Sequence, residues 1–362
     1  MTIRRKSRPI RVGDVVVGGD APVSVQSMTK TDTRDVRATC EQVKRLTEAG
    51  CQIVRVAIPD MEAAQAFAAI RKDVAVPLVA DVHFDYRLAI AALESGADGL
   101  RLNPGNIRRL EHLKQVVARA RERSTPIRIG VNAGSIPVDY LPDEPVEARM
   151  VSLAEEQISV LEGLGFDLIK VSVKASDVVT TIAAYRDIAE KISYPLHLGV
   201  TEAGPPVTGA IRNSLGIGIL LHEGIGDTVR VSLSGDPVQE VDTGREILRS
   251  LGLMQGGPMI VSCPTCGRTT LDVPGLAGRV HEYVRTINSP IRIAIMGCIV
   301  NGPGECRHAD VGIAGGEGKV ALYSGGTFSR SISTAEAYDA LTGEIDRLVA
   351  DRAKQDPTQG SD

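Results

Sequence analysis

The chain has 362 residues, of which 43% are hydrophobic and 24% charged, with 37 glycines, seven tyrosines, four phenylalanines and no tryptophan; this suits a globular protein of one large and one small domain. A net charge of −4 excludes a molecule-wide electrostatic grip on nucleic acid, and the lack of any apolar run of membrane-spanning length excludes a transmembrane helix. The basic residues 1–12 are not followed by the apolar stretch of a secretory signal, so a cytoplasmic protein is expected.

A short valine-rich hairpin is predicted over residues 10–17, ending at Gly18-Gly19. After it, eight short apolar runs read as strands: 23–29, 53–58, 77–83, 99–104, 127–132, 168–174, 196–202 and 228–234. Amphipathic stretches such as 36–49, 61–72, 107–123, 146–164 and 176–192 separate them. Strand and helix periods alternating in one series predict parallel βα units. Eight such units predict a closed α/β barrel of the TIM type, with the hairpin plugging its bottom. This domain is expected to span 1–253. A linker at 254–258 then leads to a smaller α/β domain over 258–352, with a strand into Cys263, a helix near 275–286, a strand at 291–296, two short strands around 311–323 and a last helix at 334–351. The polar tail 353–362 is expected to be disordered.

The first chemical signal lies in the strands. Arg55, Arg101, Arg128, Lys170 and Arg230 occupy positions where a barrel would ordinarily place Val or Ile. Side chains alternate across a strand, so Arg101, Arg128, Lys170 and Arg230 share a face with Asn103, Asn132, Ser172 and Ser232 respectively. A single buried Arg is commonly paired with a carboxylate. Five convergent cations need more negative charge than Asp81 and Glu202, the inward carboxylate candidates, provide. A bound anion satisfies the deficit, and arginine forks suit phosphate oxygens, so a diphosphate is expected. Asp81, His83 and Glu202 end their strands on the face where barrel active sites lie. Asp81 either orients substrate or anchors an arginine. His83 reads most simply as a hydrogen-bonding residue. Glu202 is the best general-acid candidate, with a salt bridge to a neighbouring arginine as the alternative. Asn213-Ser-Leu-Gly-Ile-Gly opens a predicted helix whose backbone N–H groups suit phosphate, although a tight turn explains its glycines as well.

The second signal is Cys263-Pro-Thr-Cys266, followed by Cys298-Ile-Val-Asn-Gly-Pro-Gly-Glu305-Cys306. Paired thiols one turn apart chelate a metal, and the surrounding glycines let backbone N–H groups approach sulfur. Structural zinc with Cys306 as fourth ligand and an iron–sulfur cluster with Glu305 as fourth ligand are both consistent with this spacing. Cys40 and Cys51, flanking the first barrel helix, read as buried apolar residues.

Cys-Pro-Thr-Cys-Gly-Arg, Met-Gly-Cys-Ile-Val-Asn-Gly-Pro-Gly-Glu, Val-Gln-Ser-Met-Thr, Leu-Arg-Leu-Asn-Pro-Gly-Asn and Lys-Val-Ser-Val-Lys-Ala-Ser together resemble the 4-hydroxy-3-methylbut-2-enyl diphosphate synthase family of the non-mevalonate isoprenoid pathway, in its compact bacterial form. The resemblance runs from about Arg8 to Val349. It implies an oxidoreductase that opens 2-C-methyl-D-erythritol 2,4-cyclodiphosphate to (E)-4-hydroxy-3-methylbut-2-enyl diphosphate. It implies a 4Fe–4S cluster held by Cys263, Cys266, Cys298 and a displaceable Glu305, with Cys306 a bystander. Arg55, Arg101, Arg128, Asn132, Lys170 or Lys174, Arg230 and Ser232 match its diphosphate-binding set; Asp81 and Glu202 match its acidic residues, with Glu202 the proton donor. It further implies reduced flavodoxin or ferredoxin as electron donor, and a homodimer in which one chain's cluster domain caps its partner's barrel.

Overall fold

Aspartate caps punctuate the chain in the computed structural model, which describes residues 3–102, 107, 109–254, 256–285, 287–316 and 318–355. Asp35, Asp60, Asp85, Asp177 and Asp236 each accept a hydrogen bond from a backbone N–H of the helix that follows. These bonds satisfy donors that a helix start leaves free and set where each strand-to-helix loop ends.

The hairpin forms as expected, β1 (Ile10–Val12) against β2 (Val15–Val17). Its Ile10, Val12 and Val17 pack on Ile53 and Val79 at the strand starts, closing the bottom of the barrel. The barrel strands are β3 (Ser24–Met28), β4 (Ile53–Ala57), β5 (Leu78–Asp81), β6 (Gly99–Leu102), β7 (Ile127–Asn132), β8 (Ile169–Lys174), β9 (His197–Leu198) and β10 (Thr228–Val229). All pair in parallel, in the order β8-β7-β6-β5-β4-β3-β10-β9, and a bridge from Val171 to Leu196 closes the ring. The helices of this unit are α1 (Val36–Glu48), α2 (Met61–Asp73), α3 (Tyr86–Glu94), α4 (Leu110–Glu122), α5 (Val146–Gly163), α6 (Val178–Lys191), α7 (Pro206–His222) and α8 (Pro237–Ser250). The eight-stranded TIM-type barrel is therefore present. The last two strands are much shorter than the runs 196–202 and 228–234: the Arg230 N–H still donates to Leu198 of β9, but beyond it the Ser232 hydroxyl bonds the Val200 carbonyl and the Leu233 N–H bonds the Glu240 side chain instead of a neighbouring strand. Asn213 lies in the middle of α7, not at a helix start; its amide is fully buried and bonds Gly209 and Ser232 carbonyls, so it offers no phosphate site.

One face of each strand supplies the core. In β7, Ile127, Ile129 and Val131 pack outward in the large apolar cluster beneath the helices. Arg128, Gly130 and Asn132 take the opposite parity and face the lumen. The same division in β8 turns Lys170, Ser172 and Lys174 inward.

The chain divides at residues 254/255. The second unit holds a five-stranded sheet, β11 (Met259–Ser262), β12 (Arg292–Met296), β13 (Val311–Gly315), β14 (Val320–Ser324) and β15 (Thr327–Ile332), in that order. The first three strands run parallel and the last two antiparallel. α9 (Val273–Val284) and α11 (Ala337–Gln355) cover one apolar face. The short α10 (Gly302–Arg307) packs by Cys306 on a second, smaller cluster. α10 and β15 were not predicted, since Gly-Pro-Gly masks the one and a polar, exposed sequence the other. Residues 353–355 continue α11, and the rest of the expected tail lies outside the described residues.

Candidate active site

Strand register brings the lumen charges into one row. Asp81 is the cross-strand partner of Arg101, Arg101 of Arg128, and Arg128 of Lys170. Arg55 joins them from β4: its Nε lies 3.8 Å from Asp81, and its guanidinium also contacts the Met28 sulfur at 2.9 Å. Gly130 makes this crowding sterically feasible. A Cβ there would sit 3.0 Å from Arg101 Nε and 3.4 Å from Arg128.

Asp81 is buried between Arg55, Arg101 (3.4 Å) and His83 (3.6 Å). Burial opposes its ionisation, but Arg55, the His83 contact and Arg101 outweigh it and hold the carboxyl well below its usual range. His83 is half-exposed and lies 2.9 Å from Arg101 Nη1, so it works as a partner of that arginine. Arg128 is wholly buried. It donates to Ser172, while its Nε and Nη2 have no partner among the described residues. Burial, then the charges of Arg55 and Arg101, disfavour its cationic form. Lys170 Nζ is likewise buried without a partner. Burial, then Arg128, pushes the Lys170 ammonium down to about 7. Lys174 is shifted in the same direction by burial and by Arg128 and Arg230, and donates to the Leu198 carbonyl at 3.4 Å. Gly199 leaves it room, since a Cβ there would meet Lys174 Nζ at 2.6 Å.

Of the other expected residues, Asn132 sits at the mouth, in register with Lys174. Ser232 is buried and donates to the Val200 carbonyl at 2.6 Å. Asn103 lies outside the described residues. Glu202 is not an inward carboxylate: it is exposed, on the loop after β9, with a left-handed φ of 52° and no side-chain partner among the described residues. The alternative reading of Glu202, a salt bridge to a neighbouring arginine, is not met among those residues. Such a conformation in a non-glycine residue stores strain of the kind found at functional sites.

The carboxylate that does enter the barrel wall is Glu240, from α8. It lies 3.3 Å from Arg230 and 3.1 Å from Lys30, and sequence reasoning missed it. The available signal was a charge within the apolar stripe Val241, Gly244, Ile247 and Leu248. His197 was missed too. It is buried on β9 with Nδ1 unpartnered, and burial, followed by Lys174 and Arg128, keeps it neutral.

In the second unit both cysteine motifs follow the same ends of adjacent parallel strands. Cys263 comes directly after β11 and Cys298 two residues after β12. The Thr265 N–H points to Cys263 Sγ at 3.3 Å. Backbone N–H groups of Val300 and Asn301, with Arg268, pull the Cys298 thiol below its usual value and favour the thiolate. Cys306 turns inward, where burial pushes its thiol up to about 12. Glu305, beside it on α10, is half-buried. Among the described residues no three Cys, His, Asp or Glu side chains are gathered closely enough to grip one ion.

Residues 7–245 match the GcpE TIM-barrel domain, and residues 259–347 match the GcpE protein C-terminal domain. The chain belongs to the GcpE family. Relatives within it carry the name 4-hydroxy-3-methylbut-2-en-1-yl diphosphate synthase (flavodoxin). One from Dehalococcoides mccartyi strain CBDB1 is 56% identical over 96% of this chain and 100% of its own. Another from Geobacter sulfurreducens is 53% identical over 97% of this chain and 100% of its own. Among solved structures, dihydropteroate synthase from Stenotrophomonas maltophilia superposes with a TM-score of 0.53 at 16% identity, over 68% of this chain and 98% of that one. At that identity the likeness concerns the barrel fold alone.

Proposed function

We infer that this GcpE-family chain is an oxidoreductase that converts 2-C-methyl-D-erythritol 2,4-cyclodiphosphate to (E)-4-hydroxy-3-methylbut-2-enyl diphosphate. The observation that carries this reading is the lumen row Asp81–Arg101–Arg128–Lys170, flanked by Arg55, Lys174 and Arg230. Among the described residues, six cations there stand against two buried carboxylates bonded to them, Asp81 and Glu240; a third, Asp227, is already bonded to Arg4 and Ser7. A bound diphosphate supplies the missing charge and takes the free N–H groups of Arg128 and Lys170. Arg55, Arg101, Asn103, Arg128, Asn132, Lys170, Lys174, Arg230 and Ser232 are the proposed diphosphate ligands, with His83 steadying Arg101. Asp81 orients the guanidinium pair on the ring. Glu202, exposed on the loop after β9, is the proposed donor of a proton as the ring opens and water leaves.

Cys263, Cys266 and Cys298 are the proposed thiolate ligands of a 4Fe–4S cluster, with Glu305 as the exchangeable fourth. The N–H groups aimed at Cys263 and Cys298 suit that role. When bound, the cluster supplies single electrons and a Lewis-acidic iron. Reduced flavodoxin or ferredoxin is the proposed donor, and the parenthesis in the relatives' names favours flavodoxin. A cytoplasmic setting fits six cysteines that all stand as free thiols. A homodimer is proposed from α7, where Val207, Ile211, Leu215 and Ile219 are 76%, 57%, 50% and 37% exposed at four-residue spacing.

Protein purified without oxygen should be brown, contain iron and sulfide, and turn over the cyclic diphosphate with chemically reduced flavodoxin. A colourless protein holding one zinc per chain, inert with that substrate, would sink the reading.

A further inference from the structure

Glu240 belongs to α8, outside the barrel wall, yet its side chain is only 1% exposed. Four groups converge on its carboxylate. The Ser27 hydroxyl and the Leu233 N–H each donate at 3.1 Å. Lys30 Nζ lies at 3.1 Å and Arg230 Nη2 at 3.3 Å. Ser27 and Lys30 come from the first barrel strand and its loop; Arg230 and Leu233 come from the segment that follows the last. Glu240 therefore sits where the first and last barrel strands in chain order meet.

The ladder between β3 and β10 is brief, Ser24 with Thr228 and Val25 with Val229. Beyond it the Leu233 N–H goes to Glu240, and Lys30 donates to the Leu233 and Gly235 carbonyls at 2.8 and 2.6 Å. Two side chains thus replace strand pairing over the stretch that carries Arg230 and Ser232. Arg230 is held through Nη2, while its buried Nε has no partner among the described residues. A free arginine has several rotatable bonds whose ordering costs affinity on binding.

We propose that Glu240 is a positioning residue for the diphosphate site, fixing Arg230 at the lumen and tying it through Lys30 to the first strand. It does so without touching the ligand. A bare carboxylate in an anion site would repel the ligand; one already shared by two cations and two neutral donors leaves the site's cationic excess intact. The proposal rests on the diphosphate reading above.

Glu240→Gln keeps the volume and the Ser27 and Leu233 contacts but withdraws the charge from Arg230. It should raise KM for the cyclic diphosphate, and Kd for inorganic pyrophosphate, by about tenfold, with kcat changed less than about threefold. In an Arg230→Met background the same substitution should change either constant less than about twofold. A structural role alone would not produce that dependence on Arg230. Unchanged constants in Glu240→Gln, or a full effect persisting with Arg230→Met, would overturn the proposal. Should Glu240→Gln fail to fold, Lys30→Met/Glu240→Gln removes both charges and carries the same comparison. A wild-type protein that binds pyrophosphate but leaves the cyclic diphosphate unchanged would refute the functional reading, while the pyrophosphate constants still decide the role of Glu240.

Discussion

Lys170 shows what the lumen does to a single charge. Its amine is surrounded by barrel wall, lies next to Arg128 in register and has no hydrogen-bond partner among the described residues. With burial and Arg128 bringing it down to about 7, the folded protein releases this proton well before the unfolded chain, whose lysines titrate near 10.4. Between those values the unfolded state binds more protons, so this residue's penalty is full below pH 7 and is relieved as pH rises. Lys170→Met should therefore be more stable than wild type at pH 7.5, and the margin should shrink by about 2 kcal/mol by pH 9. Urea unfolding of both proteins at the two pH values measures it; a constant margin would show that Lys170 stays charged. The residue itself was legible in the sequence because a cation between Ile169 and Val171 breaks an apolar strand at a parity that fixes its direction. Glu240 was not, since its partners lie on strands more than 200 residues away and on its own strand-to-helix loop. Glu202 was misjudged because strand parity was extended through residues whose backbone leaves the strand at Gly199 and turns left-handed at 202.

At the scale of elements, eight strand periods were enough to predict the barrel, because each βα unit repeats one burial pattern. What escaped was pairing. β9 and β10 have only two ladder residues each, and side chains complete the seam there. In the second unit, β15 was invisible because its residues 327–331 are all exposed, so no apolar alternation marks it. α7 presents the opposite case, an apolar excess where a surface helix should be polar. Gly209, Asn213, Gly216, Ile217 and Leu220 already supply its buried face, so Val207, Ile211, Leu215 and Ile219 form a second apolar stripe facing away from that core. The proposed homodimer would bury that stripe against a second copy of this chain. Ile211→Glu with Leu215→Lys places two charges on the stripe without touching the lumen. Sedimentation velocity should then change from dimer to monomer at micromolar protein; a monomeric wild type, or a double variant that remains dimeric, would remove α7 from the interface.

For the molecule as a whole, the lumen exchanges stability for affinity. An unpaired buried cation costs several kcal/mol, and replacing it by a well-packed apolar side chain is often stabilising. Arg128 is the extreme example, fully buried with two of its nitrogens unpartnered among the described residues. Ligand-free Arg128→Met should accordingly melt higher than wild type, on the order of 5 °C for a unit of this size. Ser172 loses its guanidinium partner in that variant but keeps its bond to the Ile129 carbonyl at 3.3 Å, so no new orphan hydroxyl offsets the gain. The ligand should reverse the ranking. At a hundred times its Kd the cyclic diphosphate stabilises wild type by about 2.7 kcal/mol, a rise on the order of 5–10 °C, whereas Arg128→Met should shift little at the same concentration. Differential scanning calorimetry with and without the ligand gives all four melting temperatures. If the ligand-free variant melts lower than wild type, Arg128 is part of the barrel's packing rather than a charge held in wait for an anion.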